Sequence, residues 1–270
     1  MTVSGRRVLI TGGGTGLGAE LARRFAAAGA EVVIAGRRRE LLEATVDSWV
    51  RASPRPRAET RAETRAEGAQ IGGMRAVTVD VTDESSVASM LEAAGPIDIV
   101  IANAGAASSA PLGRTSMELW REMVEVNLTG TFLTFREGLN QMRGRGWGRL
   151  IAVASSASIR GYAYVSAYTA AKHGVLGLVR STALEVARTG ITVNALCPGY
   201  LDTEMTVRTL DNIVATTGRS RDDALAALVA SNPQGRLIAP SEVAAAALWL
   251  CSPGSESVNG QAIGIDGGEQ

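Results

Sequence analysis

The sequence has few of the residues that build disulfide frameworks or metal centres. Among its 270 residues are two cysteines, Cys197 and Cys251, and one histidine, His173. Two distant thiols and one imidazole are too few for a disulfide scaffold or a closed zinc site, so we expect no metal cofactor. Cys197 precedes a proline at a predicted strand end, where we expect a small buried residue rather than a reactive thiol.

Excess charge of one sign and long apolar runs are also missing. The chain carries 27 basic and 27 acidic residues, and this balance does not favour nucleic acid or an anionic membrane surface as a partner. No apolar run approaches the roughly 18 residues that a membrane span needs, and the first ten residues contain no signal-peptide core. These absences predict a soluble cytoplasmic protein.

Lysine is almost absent. Of the 27 basic residues 26 are arginine, and the single lysine is Lys172. A compositional preference for arginine explains the excess. A position that remains lysine under this preference is a candidate for chemistry that arginine cannot perform, because the ammonium is a compact point charge and the guanidinium a planar fork.

Short apolar runs alternate with helical patterns along the chain. Most of these runs are continuous rather than alternating, which is typical of strands buried on both faces of a parallel sheet. We therefore predict a single doubly wound α/β domain of the Rossmann type over residues 1–270, with an about seven-stranded parallel sheet flanked by helices. The predicted strands are 8–10, 32–35, 76–79, 97–101, 150–153, 192–196 and 262–265, and the predicted helices are about 16–28, 38–51, 84–94, 117–143, 166–188 and 241–251.

Two segments depart from this alternation. Residues 53–73 contain a tandem Arg-Ala-Glu-Thr repeat, which in a helix would stack like charges four residues apart, so we predict a mobile surface insertion. Residues 204–237 have a long helical pattern between the sixth strand and the last helix. This excursion is long enough for a small helical lid over a substrate site.

A glycine-rich turn follows the first predicted strand. Residues 11–18 read Thr-Gly-Gly-Gly-Thr-Gly-Leu-Gly and lead into a helix. Such glycines let the backbone approach a pyrophosphate, and the helix N-terminus directs N–H groups at it. Glycine-rich turns also occur simply to pack a helix on a sheet, but this one lies where a βαβ unit requires it. The turn therefore predicts dinucleotide binding.

The end of the second predicted strand indicates which dinucleotide binds. An acidic residue near this place usually holds the ribose of NAD, whereas an arginine accommodates the 2′-phosphate of NADP. Residues 34–39 read Ile-Ala-Gly-Arg-Arg-Arg. Gly36 leaves room for a phosphate, and Arg37 offers it a bidentate fork. NADP(H) is therefore favoured, with NAD(H) as the alternative, because Arg37 also suits the start of a solvated helix.

Tyr168 and Lys172 lie four residues apart on a predicted helix and so share one face. A tyrosine hydroxyl has a pKa of about 10, and an adjacent ammonium stabilises the phenolate and lowers that pKa. Such a tyrosine can give or take a proton near neutral pH. Ser155 ends the fifth predicted strand, and the carboxyl edge of the sheet would bring it to the same crevice.

With these motifs the chain resembles the short-chain dehydrogenase/reductase family over essentially its whole length. The glycine turn matches the family's Thr-Gly-x-x-x-Gly-x-Gly motif, residues 103–105 its Asn-Ala-Gly motif, and residues 198–203 its Pro-Gly-x-x-x-Thr motif. In the family the serine lies 13 residues before the tyrosine, which selects Ser155 rather than Ser156. The resemblance implies a catalytic tetrad of Asn127, Ser155, Tyr168 and Lys172.

The resemblance also implies which residues contact the cofactor. Asp80 and Val81, after the third predicted strand, match the adenine-contacting positions of the family. The cofactor-binding residues implied in this way are Gly12, Thr15, Gly16, Leu17, Gly18, Arg37, Asp80, Val81, Asn103, Ala104, Gly105, Tyr168, Lys172, Pro198, Gly199, Leu201 and Thr203.

The implied reaction is a carbonyl reduction or its reverse. Ser155 would donate a hydrogen bond to the carbonyl oxygen, and Tyr168 would protonate the alkoxide that forms when the nicotinamide gives up its hydride. Lys172 would hold the nicotinamide ribose and lower the pKa of Tyr168. Asn127 would position a water that relays protons to Lys172.

The substrate and the assembly are expectations of the same kind. Residues 184–190 and 197–199 look most like 3-oxoacyl-thioester and polyketide ketoreductases, so a 3-oxoacyl or 3-hydroxyacyl thioester of acyl carrier protein or CoA is the first expected substrate. Sugar, steroid or xenobiotic alcohols, nucleotide-sugar chemistry and a non-catalytic dinucleotide-binding subunit remain alternatives. The family also implies a homotetramer packed through helices 117–143 and 166–188. Four arginines near the predicted lid could contact the phosphate of a phosphopantetheine or CoA group, and a solvated charged face explains them equally well. They are Arg208, Arg219, Arg221 and Arg236.

Overall fold

The computed structural model describes residues 3–53 and 73–269, in which strands and helices alternate as predicted. Each predicted strand overlaps an observed one. The strands are β1 Arg7–Thr11, β2 Glu31–Gly36, β3 Met74–Thr78, β4 Ile99–Ala102, β5 Gly148–Val153, β6 Ile191–Pro198 and β7 Ala262–Ile265. The α-helices are α1 Gly16–Ala27, α2 Arg39–Ala52, α3 Glu84–Ala94, α4 Met117–Val124, α5 Gly130–Met142, α6 Ser166–Val186, α7 Glu204–Thr217, α8 Arg221–Val229 and α9 Pro240–Leu250.

The seven strands form one parallel sheet in the order β3-β2-β1-β4-β5-β6-β7. The predicted doubly wound sheet is therefore confirmed. The chain moves outward from β1 to β3 and then returns to place β4 on the other side of β1. This reversal opens a crevice at the carboxyl ends of β1 and β4, where doubly wound proteins bind their ligands.

The sheet is covered by apolar side chains on both faces, as continuous apolar strands require. Along β1, Leu9 packs into a cluster with α3, α5 and α6, whereas Val8 and Ile10 pack into a second cluster with α1, α2 and α9. The strands are thus held between two helical layers, and their carboxyl ends are fixed relative to one another.

The predicted helix 117–143 is wrong in detail, because the structure has three segments there. A π-helical turn, Glu125–Thr129, separates α4 from α5 and contains Asn127. A π turn widens the helix by one residue and is often found at functional sites. The spacing of apolar residues did not indicate this turn, because it is a feature of the backbone hydrogen bonding of the helix.

The two segments that departed from the alternation have different outcomes. Apart from Ser53 and Gly73, the predicted insertion 53–73 lies outside the described residues. Residues 204–237 contain α7 and α8, which pack on each other through a small apolar cluster of Leu210, Ala224 and Leu228. Among the helices that the structure describes, none is long and apolar enough to cross a membrane.

Candidate active site

The glycine-rich turn between β1 and α1 packs tightly against its surroundings. Gly12 and Gly16 have φ angles of +67° and +51°, in the region that favours glycine. A Cβ atom on Gly18 would collide with the carbonyl oxygen of Gly12, so α1 begins directly against the turn. Thr203 lies opposite, with its Cγ2 3.4 Å from the place of a Cβ on Gly16. The turn therefore presents backbone to the crevice beside Thr203.

Asn103 ties this turn to the end of β4. Its Nδ2 donates to the carbonyl oxygens of Thr11 at 2.9 Å and Gly12 at 3.3 Å. In return, Thr11 Oγ1 accepts the backbone N–H groups of Asn103 and Ala104, each at 3.1 Å. The side chain of Asn103 thus bridges the two strands at the crevice and holds the turn, a use that the sequence did not indicate.

Asn127 links the π turn to the loop that follows β4. Its buried Nδ2 donates to the carbonyl oxygens of Ala106 at 2.9 Å and Met123 at 3.0 Å, and its Oδ1 accepts the N–H of Ala106 at 3.3 Å. Gly105 lies between Asn127 and Lys172. A Cβ at Gly105 would be 2.9 Å from Asn127 Oδ1 and 3.7 Å from Lys172 Nζ. The loop thus brings a bare backbone beside both side chains.

Ser155 and Tyr168 meet at the end of β5. The Ser155 side chain lies near enough to Tyr168 to lower the pKa of the tyrosine hydroxyl. The backbone N–H of Ser155 donates to Ser158 Oγ at 3.2 Å, and Ser155 Oγ accepts the N–H of Ala157 at 3.1 Å. This capping box holds the short 3₁₀ turn Ser156–Ser158. Ser155 is therefore fixed by local hydrogen bonds against the first turn of α6.

Lys172 is buried directly behind Tyr168. Its side chain follows one helical turn after Tyr168, and its Nζ donates to the carbonyl oxygen of Val153 at 2.9 Å and lies 5.7 Å from the Tyr168 ring centroid. The residue is only 4% exposed, and burial lowers the pKa of its ammonium to about 8. The structure thus brings the four predicted tetrad residues to one edge of the sheet.

The expectation that Lys172 lowers the pKa of Tyr168 is wrong for this structure. Burial is the largest influence and raises the pKa of Tyr168, with the hydrogen bond to Ser155 opposing it. The physical reason is that the Lys172 ammonium is directed to a backbone carbonyl, while desolvation disfavours the phenolate. A raised pKa keeps Tyr168 protonated at neutral pH, which suits a proton donor.

Arg37 and Asp80 lie near each other beyond the ends of β2 and β3. Two hydrogen bonds from Thr82, at 3.0 and 2.7 Å, hold the pKa of Asp80 below its ordinary value, and the charge of Arg37 adds to them. Arg37 is exposed, whereas Arg39 is bonded to Glu43 at 2.7 Å. Arg37 is thus free of that ion pair and faces the predicted adenosine side of the crevice.

The remaining predicted residues follow the carboxyl edge from β6 to α7. Pro198 ends β6, and the N–H of Gly199 donates to the carbonyl oxygen of Ile265 at 3.1 Å. Leu201 pairs with Ile238 in an isolated bridge. Cys197 is buried, as expected, and burial raises the pKa of its thiol to about 11.

Sequence reasoning missed a second polar group beside the serine turn. Tyr162 Oη is 2.7 Å from Ser156 Oγ and 2.7 Å from Glu269 Oε1. Tyr162 and Glu269 are 107 positions apart, so no local sequence pattern joins them. The consecutive glycines 267 and 268 were the available signal, because they mark a sharp turn before Glu269.

Comparisons with known proteins extend over nearly the whole chain. The model of the short chain dehydrogenase family matches residues 6–213. A Streptomyces coelicolor protein named "Putative ketoacyl reductase" is 35% identical over 263 residues, 96% of this chain and 95% of that protein. Cis-4-hydroxycyclohexanecarboxylate dehydrogenase of Sinomonas cyclohexanicum is 36% identical over 270 residues, 97% and 96% of the two chains. A crystal structure of an actinorhodin polyketide ketoreductase variant with NADPH has a TM-score of 0.85 at 34% identity, covering 98% and 97% of the two chains.

Proposed function

The chain belongs to the short-chain dehydrogenase/reductase family and is an oxidoreductase that acts on CH–OH groups; from this premise we propose that it reduces a ketone to a secondary alcohol with NADPH. The observation that carries the proposal is the meeting of Ser155, Tyr168 and Lys172 at the carboxyl edge, beside the glycine-rich turn. A protein that only binds a dinucleotide needs no tyrosine paired with a buried lysine there.

The residues at the crevice fit NADP(H). The turn offers backbone N–H groups to a pyrophosphate, Gly105 leaves space beside Lys172 for a ribose, and the exposed Arg37 suits a 2′-phosphate. A Cβ on Gly36 would make ordinary van der Waals contact with Leu42 Cδ2 at 3.7 Å, so the glycine keeps this strand end free of a side chain. We therefore retain NADP(H) as the favoured cofactor and NAD(H) as the alternative.

Tyr168 and Ser155 perform the acid chemistry in this proposal. When bound, NADPH supplies the hydride for the carbonyl carbon. Tyr168 Oη is protonated at neutral pH because burial raises its pKa, and it gives this proton to the carbonyl oxygen as negative charge develops there. The Ser155 hydroxyl, which lies near Tyr168, donates its one proton in a hydrogen bond to the same oxygen.

Lys172 and Asn127 do not donate to the substrate in this proposal but position the groups around Tyr168 and Ser155. The Lys172 ammonium, held by the carbonyl oxygen of Val153, supplies positive charge near the Tyr168 ring and holds the ribose. Asn127 fixes the loop after β4 through Ala106, and in the proposal it also orients a water toward Lys172. Asn127 lies within the π turn, and its amide reaches that loop from there.

A 3-oxoacyl thioester is the first proposed substrate, supported by the relatives named as ketoacyl reductases. The arginines near α7 and α8 give it little support. Arg208 is paired with Glu204, Arg221 with Asp211 and Arg236 with Glu242. A cyclic ketone is the second candidate, supported by the relative named cis-4-hydroxycyclohexanecarboxylate dehydrogenase.

We also propose that residues 204–237 are the lid and that four chains assemble. Asn212 Nδ2 of α7 lies 3.5 Å from Ser109 Oγ in the loop after β4, so α7 borders the crevice.

Exposed apolar side chains on α4, α5 and α6, among them Leu184 at 81% exposure, suit contacts between subunits. Light scattering should give about four times 28.0 kDa, and a monomeric mass would contradict the assembly.

Titration with NADPH and NADH, followed by addition of acetoacetyl thioester or a cyclic ketone, tests the function. We expect NADPH to bind at least about tenfold tighter than NADH, and Arg37→Ala to remove that preference, since it deletes the bidentate phosphate contact. Arg39→Ala, two residues further along the chain and paired with Glu43, is the matched control. Equal binding of both cofactors by the wild-type protein would contradict the NADP(H) assignment. If NADPH is oxidised when the cyclic ketone is added but not when the thioester is added, the cyclic ketone becomes the proposed substrate.

A further inference from the structure

A buried carboxylate lies beside the serine turn, and the proposed reaction does not use it. Glu269 belongs to the segment after β7, residues 266–269, here named the post-β7 segment. Its side chain is 1% exposed and lies 3.6 Å from Arg160 Nη1, and its Oε1 is 2.7 Å from Tyr162 Oη. A carboxylate removed from water needs such partners, because an unpaired buried charge is costly.

Tyr162 extends this contact to the serine turn. Its Oη lies 2.7 Å from Ser156 Oγ, and Ser156 begins the turn that directly follows Ser155. A phenol has one proton, so donating it to Glu269 leaves the oxygen free to accept from Ser156. Carboxylate, phenol and hydroxyl thus form one chain of hydrogen bonds that ends one residue from Ser155.

The post-β7 segment is held in a conformation that requires glycine. Gly267 and Gly268 have φ angles of +70° and +93°. A Cβ on Gly267 would collide with the side chain of Asn232, whose Nδ2 donates to the carbonyl oxygen of Arg236 at 2.7 Å. The segment is therefore fixed against the chain between α8 and α9, and this places Glu269 under the serine turn.

We propose that Glu269 is a positioning residue for Ser155. Through Tyr162 and Ser156 it fixes the serine turn, so that Ser155 Oγ stays in hydrogen-bond reach of both Tyr168 and the carbonyl oxygen of the substrate. This inference rests on the proposed function, because it concerns the same reaction. A displacement of about 1 Å in such a group can cost roughly 100-fold in rate.

Glu269→Ala and Tyr162→Phe should each lower kcat about 10- to 100-fold at saturating NADPH and ketone. Their double variant should lose little more, because both changes break the same chain of hydrogen bonds. Glu269→Gln keeps an oxygen that accepts from Tyr162, so we expect it to restore most of kcat. The Kd for NADPH should stay within about twofold of wild type in all of them, since the glycine turn is untouched. Glu256→Ala, an exposed carboxylate after α9, is the matched control.

Hydrogen exchange separates this inference from the proposed function. We expect Glu269→Ala to speed amide exchange in residues 155–162 and to leave residues 11–18 unchanged. Wild-type kcat in Glu269→Ala, with only a lowered Tm, would show a purely structural residue and overturn the inference while the proposed function stands. If the wild-type protein reduces no ketone, the proposed function fails. Unchanged amide exchange in residues 155–162 of Glu269→Ala would then overturn the inference that Glu269 fixes the serine turn. Should Glu269→Ala not fold, Tyr162→Phe decides the same points.

Discussion

At the scale of single residues, the site depends on two ionisable groups with opposite pKa shifts, the half-buried Tyr168 and the buried Lys172. Burial raises the pKa of Tyr168 and lowers the pKa of Lys172 to about 8, because each neutral form is favoured away from water. The tyrosine thus remains a proton donor near neutral pH. The lysine keeps its charge only while the pH stays below its lowered pKa.

This arrangement predicts the pH dependence of the reductive reaction. We expect kcat/KM to fall above about pH 8, because Lys172 then loses the positive charge that would hold the ribose of the cofactor. Tyr168, with its raised pKa, should stay protonated through that range. A rate that is constant from pH 6 to pH 10 would contradict the role given to the ammonium.

Lys172→Arg tests whether charge alone is enough. The planar guanidinium cannot occupy the buried place of Nζ, 2.9 Å from the carbonyl oxygen of Val153, without shifting its neighbours. We expect a loss of about 100-fold in kcat at saturating NADPH. Arg180→Lys on the same helix, away from the tetrad, provides the control for exchanging the two cations. Retention of most activity in Lys172→Arg would refute the argument from the single lysine.

At the scale of elements, glycine decides how closely the crevice walls approach. Gly130 starts α5, and a Cβ there would lie 2.9 Å from Val81 Cγ2, in the loop that the resemblance assigns to adenine.

The sequence predicted the sheet from periodicity, and the family resemblance of its motifs implied the tetrad. It could not predict the π turn at Asn127 or the contact of Tyr162 with Glu269, because these depend on backbone geometry and on distant packing.

Gly130→Ala should therefore disturb both stability and cofactor binding. We expect the free energy of unfolding to fall by about 1–3 kcal/mol from overpacking and the Kd for NADPH to rise as Val81 shifts. Gly177→Ala on α6 is the matched control, since a Cβ there meets nothing within 4 Å, and it should raise stability slightly. Chemical denaturation and NADPH titration of both variants check this. Equal effects of the two substitutions would contradict the packing argument.

At the scale of the whole molecule, ion pairs that stabilise the fold lie at the amino edge of the sheet, opposite the chemistry. Asp98, just before β4, accepts from Arg145 Nη2 at 2.6 Å and from the N–H of Arg7 at 3.0 Å, and Arg6 lies 3.7 Å away. The tetrad lies at the other end of the same strands. Changes at the amino edge should thus affect folding without reaching the reaction.

Asp98→Ala tests this separation. It leaves the N–H of Arg7 without its acceptor and removes one partner of the partly exposed Arg145 guanidinium, so we expect the free energy of unfolding to fall by about 1–3 kcal/mol. The kcat and KM of the folded enzyme should remain those of the wild type. Denaturant unfolding and steady-state kinetics at a permissive temperature measure the two effects, and a parallel loss of kcat would show that the edges are coupled.

The most direct test of the account is a single turnover of NADPH-loaded enzyme with ketone, compared between the wild type and Tyr168→Phe. The account predicts oxidation of NADPH by the wild type. It predicts at least about a 100-fold slower rate in Tyr168→Phe, with the Kd for NADPH nearly unchanged. Turnover by Tyr168→Phe at the wild-type rate would contradict the assignment of Tyr168 as the proton donor.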